Sequence, residues 1–275
     1  MGWGQEMSRE KTMTSWRKTM RLWPLLLLCG LGPACCLAAD AGLPFAPGEK
    51  LTFQLRWGLI PAGSTTLMVA PTEKMDGAMA QHLVMTAETN AFVDVFYKVR
   101  DRIDSYTSAD VSYTLLYRNR QREGHSKRNV VVNFDWTRMQ AVFSNFDEKN
   151  EPIAIPPGTL DPLASFYYVR TLVLLPGKVL YRPLTDGKKA VISQVRVLAE
   201  EEVTVPAGTF QTIRFEPDLS EAGGVFEKSK DAGMTVWVTA DRRHIPVKIT
   251  SKVVVGHFTG ELLSMEGVQE LPAAP

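Results

Sequence analysis

Alternation at a period of two constrains this chain more than any other feature. Leu51, Phe53, Leu55 and Trp57 interleave with Thr52, Gln54 and Arg56. Val130, Val132, Phe134 and Trp136 interleave with Val131, Asn133 and Asp135, and Met234, Val236 and Val238 with Thr235, Trp237 and Thr239. Successive side chains of a strand point to opposite faces, so these runs of β-branched and aromatic residues read as strands with one buried face. Comparable segments fall near 64–70, 81–88, 95–107, 111–122, 139–146, 178–184, 190–198, 209–216, 245–254 and 257–264. Asp76-Gly77, Asp186-Gly187 and Ala222-Gly223-Gly224 supply turn signals between them. Such short connections favour antiparallel pairing, because parallel neighbours need long crossovers. The expectation is an all-β, mainly antiparallel fold: a large curved sheet, or an open barrel or roll, of about 12 strands.

One segment breaks the rhythm. In "DPLASFYYVRTL", Asp161 can cap a helix and Pro162 fits its first position, where a missing N–H is harmless. Leu163, Phe166 and Tyr167 then share a face, and Leu175-Pro176-Gly177 ends the pattern. A single short helix near 161–173 is expected to plug the open end or concave face of the sheet.

Pro-Ala-Gly occurs twice, in "LIPAGST" at 59–65 and "TVPAGTF" at 204–210. A phosphate-cradling loop needs a helix N-terminus behind it, and strand-like residues follow both copies. Both are therefore read as hairpin corners of three residues with a bulge, Pro setting φ and Gly taking the left-handed position.

The N-terminus reads differently from the rest. Lys11, Arg17, Lys18 and Arg21 precede an uncharged run from Leu22 to Ala39 that ends in small residues. That is the pattern of a secretory signal peptide over residues 1–39, with a single β-rich domain over 40–275. Pro24, Gly30, Gly32 and Pro33 interrupt the run, which favours cleavage over a retained anchor. Lipidation at Cys35 fits less well, because Gly-Pro-Ala before it lacks the usual large apolar residue. All three cysteines lie in this leader, so the mature chain has no thiol for a disulfide, a nucleophile or a metal. Loss of the leader takes five of 31 Lys/Arg and two of 30 Asp/Glu, leaving 26 basic against 28 acidic residues. That balance gives no argument for nucleic acid.

Signals for chemistry are sparse. His82, His125, His244 and His257 are scattered without ligand spacing, no Gly-x-Ser-x-Gly is present, and Asp101 and Asp104 fall on opposite faces of a strand. No cofactor, metal or catalytic residue is assigned. The most distinctive local feature is "YRNRQREGHSKR" at 117–128. Arg118, Arg120 and Arg122 share one strand face, and Lys127 and Arg128 return on the partner strand. These five cations are a candidate anion site for lipid phosphates or an anionic envelope polymer. The alternative is a solvated hairpin whose arginines pair with acids such as Glu123 and Asp135. Phe53, Trp57, Phe134 and Trp136 are candidates to line an apolar cavity, or simply to pack on each other.

Several stretches together resemble a known family. "LPFAPGEKLTFQLRWGLIPAGSTTLMV" at 43–69, "DPLASFYYVRTLVLLPG" at 161–177, "VTVPAGTFQTIRFEP" at 203–217 and "WVTADRRHIPVKITSKVVVGHFTGEL" at 237–262 resemble, in order, landmarks of the bacterial exported family called domain of unknown function 3108. The resemblance implies a mostly β envelope protein and brings no catalytic residue with it. The expectation is a periplasmic, non-catalytic protein of a Gram-negative bacterium, not integral to the membrane after leader cleavage, that binds a hydrophobic or anionic envelope component. The rivals are an envelope hydrolase using carboxylates from separate strands, and an assembly protein that works through an envelope protein partner.

Overall fold

The computed structural model describes residues 42–218, 233–253 and 256–270; the leader and the Ala222-Gly223-Gly224 turn lie outside them. Among the described residues, fifteen strands and two helices follow one another. The first half holds β1 (Lys50–Trp57), β2 (Ile60–Met75), β3 (Ala78–Thr89), α1 (Ala91–Asp94), β4 (Arg100–Thr107), β5 (Thr114–Glu123), β6 (Ser126–Asp135) and β7 (Gln140–Asn145). The two-residue strands β8 (Glu148–Lys149) and β9 (Ile153–Ala154) lead into α2 (Pro162–Val169). Then come β10 (Val179–Thr185), β11 (Ala190–Val205), β12 (Gly208–Pro217), β13 (Gly233–Thr239), β14 (Pro246–Val253) and β15 (Gly256–Glu266).

All of these strands join one antiparallel sheet in the order β10-β11-β12-β13-β14-β15-β1-β2-β3-β4-β5-β6-β7-β8, with β9 also on β7. Sequence neighbours are spatial neighbours almost throughout, as the short connections imply; the pairing of β1 with β15 joins the two halves. The segment between β9 and α2 ties the far strands together. Thr114 N donates to Thr159 O, while Leu160 N donates to Pro183 O and accepts at its own carbonyl from Thr185 N.

The sheet wraps around α2. Asp161 caps the helix by accepting from Leu163 N and Ala164 N, and Pro162 occupies the first turn. The same carboxylate accepts from the Ser105 and Thr114 hydroxyls at 2.5 and 2.7 Å. Burial raises the Asp161 pKa against these four donors. Leu163 and Tyr167 pack among Phe45, Leu51, Phe53, Leu67, Leu83 and Leu262, and Phe166 reaches towards Val197, Ile213 and Phe215. Burying each large apolar side chain stabilises the fold by roughly 1.5–3 kcal/mol, which is why an eight-residue helix holds here at all.

The two Pro-Ala-Gly copies part company. Pro206-Ala207 is a two-residue turn between the paired Val205 and Gly208, and Val203, Val205, Ala207 and Phe210 fold onto the core around α2. The copy in β2 is not a turn. Gly58 and Leu59 make the corner, and Pro61-Ala62-Gly63 forms a bulge in which Arg56 pairs with Pro61 and Leu55 with Gly63. The freed Ala62 and Pro61 carbonyls accept from the backbone and side chain of Asn90, which caps α1. That four-residue helix and the turn after it keep residues 91–98 out of the sheet, so the strand expected from 95 begins only at Arg100, after an isolated bridge at Val99.

The three stretches "GEKL", "FYYVR" and "RRHIP" meet at one buried ion pair. Arg170, at the C-terminal end of α2, donates to both Glu49 oxygens at 2.6 and 3.0 Å, with each side chain 1% exposed. Its guanidinium lies over the rings of Phe45 and Tyr167, and its Nε donates to Arg243 O. His244 Nδ1 sits 2.9 Å from Arg170 O, and burial lowers the His244 pKa.

Candidate functional site

The register of the β5–β6 hairpin decides what its cations can do. Arg118, Arg120 and Arg122 face outwards opposite Val131, Asn129 and Lys127. Arg128 pairs with Gln121, in phase with Val130 and Val132, so it faces inwards. The expected set of five therefore divides into four outer cations and one inner one. Lys127 and Arg128 are adjacent on a strand, and adjacent residues cannot share a face.

The outer arginines adjoin a charge network on the convex face. Arg102 donates from Nε and Nη2 to Asp104, Arg120 Nη2 reaches the same carboxylate at 3.2 Å, and His82 Nε2 lies 2.9 Å from it. The other His82 nitrogen approaches Glu73 at 3.0 Å, and its ring stacks on Tyr106 at 4.2 Å. Burial disfavours the Asp104 charge, but hydrogen bonds from His82 and Arg102 outweigh it and hold its carboxyl well below the usual range. Arg120 is thus engaged, and with an acid other than those expected. Asp135 pairs with Arg138, and Glu123 lies beside Asp101 on the inner face.

Arg128 instead stands at the mouth of a cavity of about 310 Å³ on the inner face of β5, β6 and β7. Tyr117, Val130 and Phe143 form its apolar floor, and Asn119, Gln121 and Asn145 its polar wall. The β10–β11 turn closes the opposite side with Asp186 and Lys188. That turn is held by its own side chains: Gly187 N donates to Thr185 Oγ1, the Thr185 hydroxyl donates to Lys189 O, and Lys188 N donates to Asp186. Gly187, at φ +90°, lets the turn seat, since a Cβ there would meet Val132 Cγ2 at 2.6 Å. Lys188 Nζ lies 5.3 Å from the centre of the Phe143 ring.

Two lysine and arginine heads thus flank a polar pocket with an aromatic base. Asn119 hydrogen-bonds Tyr117, and burial raises the Tyr117 pKa. The Asn119 Oδ1 is buried with no protein hydrogen-bond partner among the described residues, and a buried acceptor of that kind calls for a donor. Glu123 and Asp101 lie beyond Gln121 towards the turn. Burial, and then the hydrogen bond and charge of Asp101, raise the Glu123 pKa, while Arg128 opposes them.

The four aromatics do not gather into one cavity. Phe53 is locked in the core around α2, Trp57 is half exposed at the far end of β1, and Phe134 stacks on Trp136 against the β5–β7 core. The Trp136 indole donates to Thr114 O at 2.8 Å. Phe53 and Trp57 lie on β1 and Phe134 and Trp136 at the end of β6, so period-two alternation shows their faces but not their neighbourhood. Sequence reasoning also missed Lys188, Asn119, Asn145 and the Glu49–Arg170 pair. The readable signal was the phase of Arg128 with Val130 and Val132. Among the described residues, no group of three or more His, Cys, Asp or Glu is placed to hold a metal, and no helix is long and apolar enough to cross a membrane.

Comparison with solved structures supports this architecture. The β-barrel-like protein of domain of unknown function DUF1849 from Brucella abortus has a TM-score of 0.53 at 10% identity, over 82% of this chain and 99% of that one. At that identity the likeness concerns the fold alone. A candidate lipoprotein from Parabacteroides distasonis scores 0.35 at 11% identity, over 82% of this chain and 99% of its own. A candidate exported protein with a YmcC-like fold from Bacteroides fragilis scores 0.32 at 9% identity, over 82% and 98%. Both scores are too low to carry an argument. A search of curated proteins returns no match. The family model described as "Protein of unknown function (DUF3108)" matches residues 52–263, spanning the sheet from β1 to β15, and the chain belongs to that family.

Proposed function

We propose that this is an exported, non-catalytic binding protein of the cell envelope, with residues 1–39 as its leader and 40–275 as one β-rich domain. Its ligand is an anionic headgroup, phosphate or carboxylate, with hydroxyls beside the charge. One observation carries the reading: Arg128 turns inwards and faces Lys188 across a polar pocket. Cationic donors at the lip suit an anion, amides in the wall suit hydroxyls, and the unpartnered Asn119 Oδ1 suits a hydroxyl donor. The Phe143 and Tyr117 faces give a platform for the apolar side of a sugar or glycerol. A purely hydrophobic cargo has less support, since α2 and the β11–β12 turn pack against the strands around them.

Titration with dihexanoyl-phosphatidylglycerol, and separately with a phosphorylated sugar, tests this and distinguishes a lipid from a polymer source. Arg128→Gln with Lys188→Gln should weaken binding about tenfold or more, since each removes a charge-assisted hydrogen bond. The outer triple change Arg118→Gln, Arg120→Gln and Arg122→Gln should leave it nearly unchanged. The reverse pattern would place the ligand outside the pocket and overturn the proposal.

A further inference from the structure

The meander sends alternate turns to opposite ends of the sheet. The β1–β2, β3–β4 and β5–β6 connections therefore share one end. Apolar side chains concentrate on these turns: Leu59, Val95 and Phe96 are 86, 77 and 76% exposed, and Phe92, Tyr97 and Trp57 are at least about half exposed. Scattered exposed apolar residues are ordinary, whereas a cluster on adjoining loop tips calls for an occupant.

The loop that presents them is braced. Asn90 ties α1 to the bulge in β2, Arg100 grips Asp94 with two donors, the Thr89 hydroxyl also donates to Asp94, and Phe92 packs edge-on to Phe96. Tyr97 lies against Gly124 of the β5–β6 turn, where a Cβ would meet its ring at 2.9 Å, so the tips form a continuous rim. Lys98, Arg122 and Lys127 are exposed on its shoulders, and Asp94 is already neutralised by Arg100.

We propose that this rim docks onto the surface of an anionic lipid bilayer, its aromatic and aliphatic tips at headgroup level and its cations on the lipid phosphates. Three features favour a bilayer over a protein. The apolar groups sit on projecting tips, not in a groove. Trp and Tyr beside Leu and Phe match the interfacial zone of a membrane. Lysines stand among them, whereas the cores of protein interfaces are depleted in lysine. The inference does not depend on what the inner pocket holds.

The test is cosedimentation of the processed protein, recovered from cells expressing the full chain, with phosphatidylcholine vesicles that contain or lack phosphatidylglycerol. Binding should require the anionic lipid and weaken as salt rises. Phe92→Ser with Phe96→Ser should lower it about tenfold or more, and Lys98→Gln, Arg122→Gln and Lys127→Gln together by a similar factor. Tyr181→Ser with Ile192→Ser, comparably exposed on the β10–β11 hairpin, should bind as the parent does. Absence of binding to anionic vesicles would overturn the proposal, as would equal loss in the hairpin control. So would a concentration-dependent dimer that Phe92→Ser and Phe96→Ser abolish without any vesicle binding, since the occupant would then be a second copy of the chain.

Discussion

Arg170 heads the largest side chains wholly removed from solvent, and its charge is tolerable only because Glu49 meets it with two hydrogen bonds. Breaking such a pair from one side leaves an uncompensated buried charge, whereas replacing both partners by apolar groups is often neutral or stabilising. Glu49→Ala should therefore cost about 3–5 kcal/mol in urea unfolding, and Glu49→Leu with Arg170→Met should recover most of it. A double variant no more stable than the single one would mean that the pair holds the landmarks by geometry rather than charge. Asp104 makes a pH-dependent contribution of definite sign. Its folded pKa is depressed, so its contribution is full above the unfolded carboxylate value and is lost as pH falls through the folded one. Asp104→Asn should destabilise by about 1–3 kcal/mol at neutral pH, and by progressively less as the pH is lowered below about 4. A loss that stays constant with pH would remove the ionic account. At this scale the sequence conveyed residue type and alternation. The inward turn of Arg128 is carried by its phase with Val130 and Val132, although all five cations were expected to form one site. The partner of Arg170, 121 positions away, did not, because distant pairing leaves no local trace.

Elements were largely legible, and the exceptions are local. Strong alternation located the main strands, and the Asp161-Pro162 start located α2 with its cap. The two Pro-Ala-Gly copies looked alike because turn chemistry depends on φ preferences that a bulge also uses. What separates them is the strand opposite: Gly63 must lie against β3, where a Cβ would sit 2.0 Å from Glu88 O. Gly63→Ala should force β2 and β3 apart and destabilise by about 2–4 kcal/mol, whereas Gly233→Ala, with open space around it, should change stability little. Equal melting temperatures for the two variants would contradict the bulge reading. The helix α1 was missed because its four residues sit in an apolar run that also suits a strand, and only Asn90 marked its cap. Gly187→Ala should unseat the β10–β11 turn from Val132, lowering both stability and any affinity of the pocket. Unaltered ligand binding in that variant would show that the turn is no part of the site.

On the scale of the molecule, one antiparallel meander places two surfaces at the same end. The inner pocket lies between β5–β7 and the β10–β11 turn, and the apolar rim runs along the neighbouring turns. The sheet class was open to a reading of the sequence because period-two patterning is a property of each strand. The pocket was not, because it forms where the 186–188 turn meets strands about 40–70 residues earlier in the chain. The proposed ligand binding rests on the two cations at the pocket's lip. The most direct measurement is native mass spectrometry of the protein recovered from cells expressing the full chain, parent and Arg128→Gln, Lys188→Gln variant side by side. A bound anionic molecule on the parent that is absent from the variant is the predicted result. Repeated recovery of the parent with nothing bound, or of both proteins with the same molecule, would contradict it.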